Sequence, residues 1–260
     1  MKKKKNKRPV ILVTNDDGIA APGIKALISV AKKFGKVLVV APDSPQSGQG
    51  HAITLEKPLH LKEVDIFKGI EAYECSGTPA DCVKLAKHVI MKDKMIDLCI
   101  SGINHGSNAS VNIIYSGTMS AAMEASLEGV DSIGFSLLDF RWDADFKPAK
   151  KIAKSIIKKV LKNKLPNCKL LNVNIPALPY KEIKGIKICH QGEACWLEEF
   201  QEGTNPRGQK YYWLTGKFVS KDQHDDSDIS ALKNGYVSVV PSMHDLTAFE
   251  AIDSMGFLEE

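Results

Sequence analysis

The sequence lacks the cysteine spacings that mark a zinc site or a redox pair. Its six cysteines include no Cys-x-x-Cys pair and lie mostly among apolar residues. Disulfide frameworks and zinc sites show short, regular cysteine spacings. We therefore expect reduced thiols in a cytoplasmic protein.

Long apolar runs and glycine-rich nucleotide loops are also missing. No stretch approaches the ~20 apolar residues that a membrane-spanning helix needs, so we expect no membrane partner. No Gly-x-Gly-x-x-Gly follows the first apolar run, and no Gly-x-x-x-x-Gly-Lys-Ser/Thr occurs anywhere. These absences exclude the dinucleotide-binding and P-loop fingerprints.

The positive charge of the chain is concentrated at its start. The formal net charge is +4 and residues 1–8 hold six Lys or Arg, so the remainder carries −2. We expect residues 1–8 to form a flexible basic tail. A nucleic-acid-binding arm is the alternative, but no aromatic residues are interleaved, so we expect no stable nucleic-acid complex. Residues 9–260 suffice for one large α/β domain or two small ones, and we favour one.

The stretch from Val10 to Gly18 is the most informative segment for predicting the fold and the site. Four branched apolar residues, Val10 to Val13, indicate a strand buried on both faces. The strand stops at Asp16 and Asp17, and a helical pattern begins at Pro22. Ligands of open parallel sheets bind at the carboxyl ends of the strands, and two adjacent carboxylates there favour a divalent cation. The alternative is an ordinary turn, because Asn, Asp and Gly are common turn residues.

Apolar strands alternate with amphipathic helices along the first two thirds of the chain, which predicts an α/β fold with a mostly parallel sheet. Further strands of this sheet are predicted over residues 36–41, 97–101, 132–137 and 170–175. Helices are predicted over 78–91, from the 115–118 stretch onwards, and over 149–161. Short strands over 53–55, 60–64 and 70–74 would form a small antiparallel excursion. Strands over 186–189, 211–218 and 237–240 and a helix over 247–255 would follow.

Two other strand-end loops carry oxygen donors. Ser47 follows the second strand of the predicted parallel sheet, and Asn104 follows the third. Each has a plain alternative, a loop hydroxyl for Ser47 and a turn residue for Asn104. With Asp16 and Asp17 they form an all-oxygen set that fits Mg²⁺, Mn²⁺ or Ca²⁺, the first two best, and disfavours zinc and copper. A covalent aspartyl-phosphate route is disfavoured, because Gly18 stands where an Asp-x-Asp motif needs its second carboxylate.

Helix starts offer donors for a phosphate group. The backbone N–H groups near Ser116, Gly117 and Thr118 begin a predicted helix whose dipole favours an anion, and two hydroxyls add contacts. A second such start lies at residues 77–79. The alternative in both places is ordinary helix capping.

One histidine and several aromatic residues admit two interpretations. His105 either touches the substrate beside Asn104 or is simply a loop residue. The aromatic residues from Trp196 to Trp213 form either a base-stacking edge or packing within a projecting hairpin or interface, and we favour packing.

The order of these motifs resembles the survival protein SurE family, the metal-dependent 5′-nucleotidases of bacteria. The motifs are Val13–Gly18 with Ala21–Gly23, Ala41–Asp43 through Ser47–Gly48, Gly77–Cys82, Ser101–Gly106, Tyr115–Thr118 and Asp228–Ser238. The resemblance spans about residues 9–250. Three positions depart from it: Gln46 stands where many members have Arg, Asn112 where many have an acidic residue, and Ala125 where Gly is common.

The resemblance implies a SurE-like fold, which is a three-layer Rossmann-like core with a mostly parallel sheet. The core would span about residues 9–180, and a projecting C-terminal β-hairpin and helix part, about residues 181–260, would mediate homodimers or homotetramers. It also implies that one divalent cation, Mg²⁺ or Mn²⁺, is held by Asp16, Asp17, Ser47 and Asn104.

The metal and phosphate sites predict hydrolysis of a phosphomonoester by metal-activated water, and the resemblance implies that the substrate is a nucleoside 5′-monophosphate, which would be split into nucleoside and phosphate. We assign catalysis to Asp16, Asp17 and Asn104, and phosphate binding to Ser116, Gly117 and Thr118. Which aspartate handles the proton of the attacking water stays open. The alternative function is a non-catalytic nucleotide-binding regulator.

Overall fold

The computed structural model describes residues 8–92, 94–222 and 224–259. Within them the chain forms a nine-stranded sheet, a separate two-stranded hairpin and helices on both faces of the sheet. The basic tail predicted for residues 1–8 lies outside the described residues apart from Arg8. None of the described helices is long and apolar enough to cross a membrane.

The first unit consists of the predicted strand, acidic loop and helix. β1 (Val10–Thr14) is buried almost throughout. α1 (Pro22–Ala31) begins at its proline, because the fixed φ of this residue suits the first helical turn. Ile24 and Leu27 of α1 are buried in the core. The prediction for this unit is confirmed.

The sheet grows on both sides of β1 by parallel pairing. The central strands are β2 (Lys36–Pro42), β5 (Leu98–His105), β6 (Ser132–Leu137) and β7 (Leu170–Ile175). Their order is β2-β1-β5-β6-β7, and each neighbouring pair is parallel. The carboxyl ends of all five strands therefore lie along one edge, and the prediction of a mostly parallel sheet is confirmed.

Shorter strands extend the sheet at both ends. β3 (Leu61–Glu63) and β4 (Glu71–Cys75) lie beyond β2, and β4 pairs with β2 in parallel. β11 (Val237–Ser242) pairs with β7 in the antiparallel direction, and β8 (Ile186–Ile188) completes that edge. The predicted small antiparallel excursion is confirmed for β3 and β4, which pair in the antiparallel direction. It is wrong in two respects, because residues 53–55 form no strand and β4 also joins the main sheet.

Helices cover both faces of the sheet. Successive side chains of β1 point to opposite faces. Val13 packs in one core with α1 and α5 (Lys147–Asn163), and Leu12 packs in the other with α2 (Pro79–Leu85) and α4 (Gly117–Leu127). The chain therefore has the predicted three layers of helix, sheet and helix.

One element differs from its prediction in helix type and one in extent. The helix that starts after Thr78 consists of α2 followed by a π-helical turn over Ala86–Ile90. The strand predicted to end at residue 101 continues as β5 to His105, with a register shift between Gly102 and Asn104. Asn104 and His105 therefore lie at the end of a strand and not in the loop after it.

The C-terminal part divides between the main sheet and a projecting hairpin. β9 (Ala194–Thr204) and β10 (Lys210–Ser220) pair with each other over their full lengths as a separate sheet. α6 (Asp228–Lys233) leads back to β11, and a 3-10 helix over Phe249–Leu258 follows. Since β8 and β11 belong to the main sheet, the part of residues 181–260 that lies outside it includes the hairpin (Ala194–Ser220) and the C-terminal tail (residues 243–259).

Candidate active site

Asp16 and Asp17 follow β1 at the carboxyl edge of the parallel sheet. Asp16 is 3% exposed and Asp17 is partly buried. Gly18 permits the turn, since its φ of +93° is one that L side chains rarely adopt. The Asn15 side chain donates to the carbonyl oxygen of Gly18 over 2.9 Å. This loop holds two carboxylates next to each other at the end of the strand.

The N-terminus of α4 lies directly against Asp16. The Thr118 hydroxyl donates a hydrogen bond to Asp16 Oδ1, and Thr118 is fully buried. A Cβ on Gly117 would lie 2.7 Å from the Cβ of Asp16, so a larger residue would displace the carboxylate. The positive end of the helix dipole meets an anion here. Asp16 is therefore held between the end of β1 and the start of α4.

Burial raises the pKa of both carboxyl groups. The pKa of Asp16 rises to about 6 through burial and then through the charge of Asp17, against hydrogen bonds from Thr118. The pKa of Asp17 rises to about 6 through burial, against a hydrogen bond from the His105 backbone N–H. Among the described residues, neither aspartate takes part in an ion pair. Without a cation, the protein therefore provides little positive charge to balance the negative charge of the two carboxylates.

The end of β5 provides further oxygen atoms at this point. The Asn104 Nδ2 donates to the Gly106 carbonyl oxygen over 3.1 Å, which leaves Asn104 Oδ1 as the acceptor of that side chain. The Oδ2 of Asp17 is buried and has no hydrogen-bond partner in the described part of the chain. A buried oxygen without a partner costs ~1–3 kcal/mol. A cation at this position would remove that cost.

The loop after β2 reaches the same place through its backbone. The Gln46 backbone N–H donates to the carbonyl oxygen of Asp16 over 2.7 Å. Ser47 is the next residue and is exposed. The structure thus brings the three segments that carry the predicted metal ligands to one edge of the sheet: the loops after β1 and β2 and the end of β5.

The donor set fits a hard divalent cation. Carboxylate, amide and hydroxyl oxygens are ligands that Mg²⁺ and Mn²⁺ accept. Over residues 8–92, 94–222 and 224–259, no group of three or more His, Cys, Asp or Glu side chains is placed to hold a metal. The fit therefore depends on neutral oxygen donors and on two carboxylates, one of which has an unpartnered oxygen, Oδ2 of Asp17.

The predicted phosphate-binding residues surround the start of α4. The Ser116 hydroxyl oxygen accepts from the Met119 backbone N–H over 3.0 Å and caps the helix. The Thr118 hydroxyl is used on Asp16. The helix capping that the sequence offered as the alternative is therefore present at α4. Two donors remain for a ligand, the Ser116 hydroxyl proton and the Gly117 N–H at the first helical position. At the second helix start, Thr78 and Asp81 form a capping box.

Two contacts near the site have no signal in the sequence. The Trp196 Nε1–H donates to Asn112 Oδ1 over 2.8 Å, which joins the hairpin to α3 (Asn112–Tyr115). The His105 ring stacks on that of Trp142 with 5.6 Å between centroids. Both ring nitrogens of His105 are buried without a partner in the described chain. Only the tertiary structure reveals these pairs, because their members are distant in sequence.

Comparisons with known proteins show which proteins the chain is similar to. A family model described as survival protein SurE matches residues 11–198. The chain is 60% identical over 252 residues to the 5′-nucleotidase SurE of Christiangramia forsetii, covering 96% of each chain. It is 58% identical over 253 residues to the 5′-nucleotidase SurE of Flavobacterium johnsoniae, covering 97% of each.

A solved structure shows the same fold. The crystal structure of the SurE protein from Aquifex aeolicus superposes with a TM-score of 0.83 at 42% sequence identity. The match covers 97% of this chain and 100% of that one. The fold, the family model and the two relatives lead to one conclusion: the chain belongs to the survival protein SurE family.

Proposed function

We propose that the chain is a divalent-metal-dependent phosphomonoesterase that hydrolyses nucleoside 5′-monophosphates to nucleoside and phosphate. The observation that carries the proposal is the buried, unpartnered Oδ2 of Asp17 beside Asp16 and the start of α4. Relatives that match nearly the whole chain are named 5′-nucleotidases, which supports the same activity here.

The carboxyl edge of the sheet would hold one cation, Mg²⁺ or Mn²⁺. Its ligands would be Asp16, Asp17, Ser47 and Asn104. When bound, such a cation polarises phosphoryl oxygens and lowers the pKa of a coordinated water. The chain orients the ligands: Thr118 fixes the Asp16 carboxylate, and the bond to Gly106 fixes the Asn104 amide.

The start of α4 would bind the phosphate group. The Gly117 N–H lies at the positive end of the helix dipole, and the Ser116 hydroxyl adds a second donor. Donors placed where negative charge develops stabilise the transition state. Thr118 contributes through Asp16 in this proposal, since its hydroxyl already donates there. One carboxylate of the aspartate pair would accept the proton of the attacking water.

We also infer that the chain forms homodimers or homotetramers through the hairpin and the tail. Large apolar side chains are exposed on both segments and include Phe200, Tyr211, Leu246, Phe249 and Phe257. Exposed apolar surface of this extent is typical of a protein interface. The cytoplasm remains the predicted compartment, on the basis of the unpaired cysteines of the described chain.

Phosphate release tests this function. The enzyme is stripped of metal with EDTA, and phosphate release from AMP and GMP is followed before and after Mn²⁺ is added. We expect no release in EDTA and full release with Mn²⁺. The rival function, a regulator that binds nucleotide without turnover, has no support in the names of the relatives. AMP binding without hydrolysis of any phosphomonoester would favour it and contradict the proposal.

A further inference from the structure

An open cleft of about 590 Å³ lies beside the start of α4. Its walls come from the loop after β2, from α3 and from the hairpin, and the lining residues are Gly48, Asn112, Tyr115, Trp196, Glu198, Leu214, Thr215 and Gly216. Sites for small molecules have volumes of ~300–1,000 Å³, apolar and aromatic walls and a few polar groups. The cleft matches this description.

The chain itself connects the cleft to the proposed phosphate and metal sites. Tyr115 lines the cleft and precedes Ser116, the N-cap of α4. Gly48 lines it from the loop after β2 and follows Ser47. The Gly50 N–H donates to the Tyr115 carbonyl oxygen over 3.2 Å and ties these two walls together. A nucleotide with its phosphate at Ser116 would therefore have its nucleoside beside this cleft.

Trp196 is held as a fixed wall of the cleft. Its Nε1–H donates to Asn112 Oδ1 over 2.8 Å. Its ring packs on that of Phe218, its cross-strand partner, with 5.5 Å between centroids. The residue is nevertheless 43% exposed, so part of the indole is open to a ligand. A rigid aromatic ring with an open face stacks on any nucleobase, since every base has a π-face.

The root of the hairpin is anchored to the loop that follows β5. Asp228 is fully buried and accepts from the Ser110 N–H over 2.8 Å and the Gly192 N–H over 2.9 Å. The Ser110 hydroxyl donates to the Gly192 carbonyl oxygen over 2.6 Å. These bonds fix the hairpin relative to the core, so the two walls of the cleft are positioned before a ligand binds.

We propose that this cleft binds the base of the nucleotide, with Trp196 as the stacking surface and Asn112 as the residue that positions the indole. The inference rests on the proposed function and adds where the nucleoside lies. It assigns a binding role to the aromatic hairpin, for which the sequence favours packing. Asn112 acts through Trp196, because its Oδ1 accepts the indole N–H.

The hairpin offers a matched control. Adjacent residues of a strand point to opposite faces. Leu214 lines the cleft and its neighbour Trp213 does not, although both are well exposed. Trp213→Ala therefore removes an exposed indole from the same strand without changing the cleft wall.

The test compares AMP with ribose 5-phosphate, which has the same sugar and phosphate but no base. The measured quantity is the ratio of kcat/KM for AMP to kcat/KM for ribose 5-phosphate with Mn²⁺. Trp196→Ala should lower this ratio roughly tenfold to a hundredfold, mainly through KM for AMP. Trp213→Ala should leave the ratio unchanged. Asn112→Ala should lower it less than Trp196→Ala, and Asn112→Asp, which keeps an acceptor for the indole, should restore most of it.

An equal loss on both substrates in Trp196→Ala, or no loss, would overturn the proposal. If the wild-type enzyme hydrolyses neither substrate, the proposed function fails and calorimetric titration with AMP in EDTA decides the role of the cleft. Weaker AMP binding in Trp196→Ala than in Trp213→Ala would support it, and equal binding in the two variants would overturn it.

Discussion

The Thr118 hydroxyl donates a hydrogen bond to Asp16 Oδ1 and so joins the first turn of α4 to the end of β1. The two residues are 102 positions apart in the sequence, and both are buried. Through this bond the helix that would bind the phosphate also orients a carboxylate that would bind the metal. One contact therefore positions both halves of the site.

Replacing Thr118 with Val should weaken the site and the fold together. The substitution keeps the shape of the side chain and removes the donor to Asp16. A hydrogen bond to a charged group contributes ~1.5–3 kcal/mol, so the free energy of unfolding in EDTA should fall by about that amount at pH 8. Thr118→Ser keeps the hydroxyl and is the control. Urea denaturation of the three proteins measures the effect, and a midpoint for Thr118→Val equal to that of wild type would show that the bond contributes nothing.

The pH dependence of the metal-free protein should reveal the strained carboxylate pair. Asp16 and Asp17 have pKa values of about 6 in the folded protein against an ordinary value of 3.8. The folded state therefore binds these protons more tightly, and their contribution to stability is lost as pH rises from about 4 to about 6.

Asp17→Asn isolates this contribution. The variant loses one titrating group and also the charge that raises the pKa of Asp16. In EDTA the difference in Tm, variant minus wild type, should increase from pH 4 to pH 7. The expected increase is roughly 2–4 °C for each kcal/mol by which the variant becomes more stable relative to wild type. Calorimetric scans at intermediate pH values measure the difference. A Tm difference that stays constant from pH 4 to pH 7 would contradict the assignment.

Metal ligands and phosphate donors should respond differently to added metal. Ser116→Ala should lower kcat/KM roughly tenfold to a hundredfold at saturating Mn²⁺ while the midpoint of metal activation stays in place. Asn104→Ala should shift that midpoint to higher Mn²⁺, and excess metal should recover part of the activity. Mn²⁺ titrations of both variants measure this. Rescue of Ser116→Ala but not of Asn104→Ala would mean that the two roles are reversed.

Shortening the hairpin should reduce the size of the assembly. Residues 198–216 are removed and Leu197 is joined to Lys217 through Asn-Gly, which keeps this cross-strand pair and a two-residue turn. The variant loses exposed apolar residues, Phe200 and Tyr211 among them. Light scattering should give fewer chains per particle than for wild type. A soluble variant with the parent number of chains per particle would exclude the outer hairpin as an interface, and truncation after Ser242 then tests the C-terminal tail.

The sequence predicts the inner strands well and misses part of the hairpin. The strands predicted over 132–137 and 170–175 match β6 and β7 to the residue. Every position of these two strands is buried, so each appears in the sequence with a clear start and end. β9 escapes prediction because Glu198, Glu199 and Glu202 interrupt its apolar residues, whereas the predicted β10 contains three consecutive aromatic residues, Tyr211 to Trp213. No burial pattern exists there to be recognised.

Local sequence patterns predict one part of the site, and the part formed by long-range contacts escapes them. Asp16 and Asp17 end a buried strand, and topology alone then places them at the carboxyl edge of the sheet. The bond from Thr118 to Asp16 and the bond from Trp196 to Asn112 span 102 and 84 residues. Contacts of that range depend on how helices and hairpin pack, and local sequence patterns do not encode them.

Direct Mn²⁺ binding tests the central claim that Asp16 and Asp17 hold a cation for phosphoester hydrolysis. Free Mn²⁺ is followed by its EPR signal during titration of wild type and Asp17→Asn at pH 8, with phosphate release from AMP measured on the same samples. We expect one Mn²⁺ per wild-type chain. In the variant we expect roughly a tenfold or greater loss of Mn²⁺ affinity and of turnover, with a metal-free Tm no lower than that of wild type. Wild-type Mn²⁺ affinity and turnover in Asp17→Asn would contradict the claim.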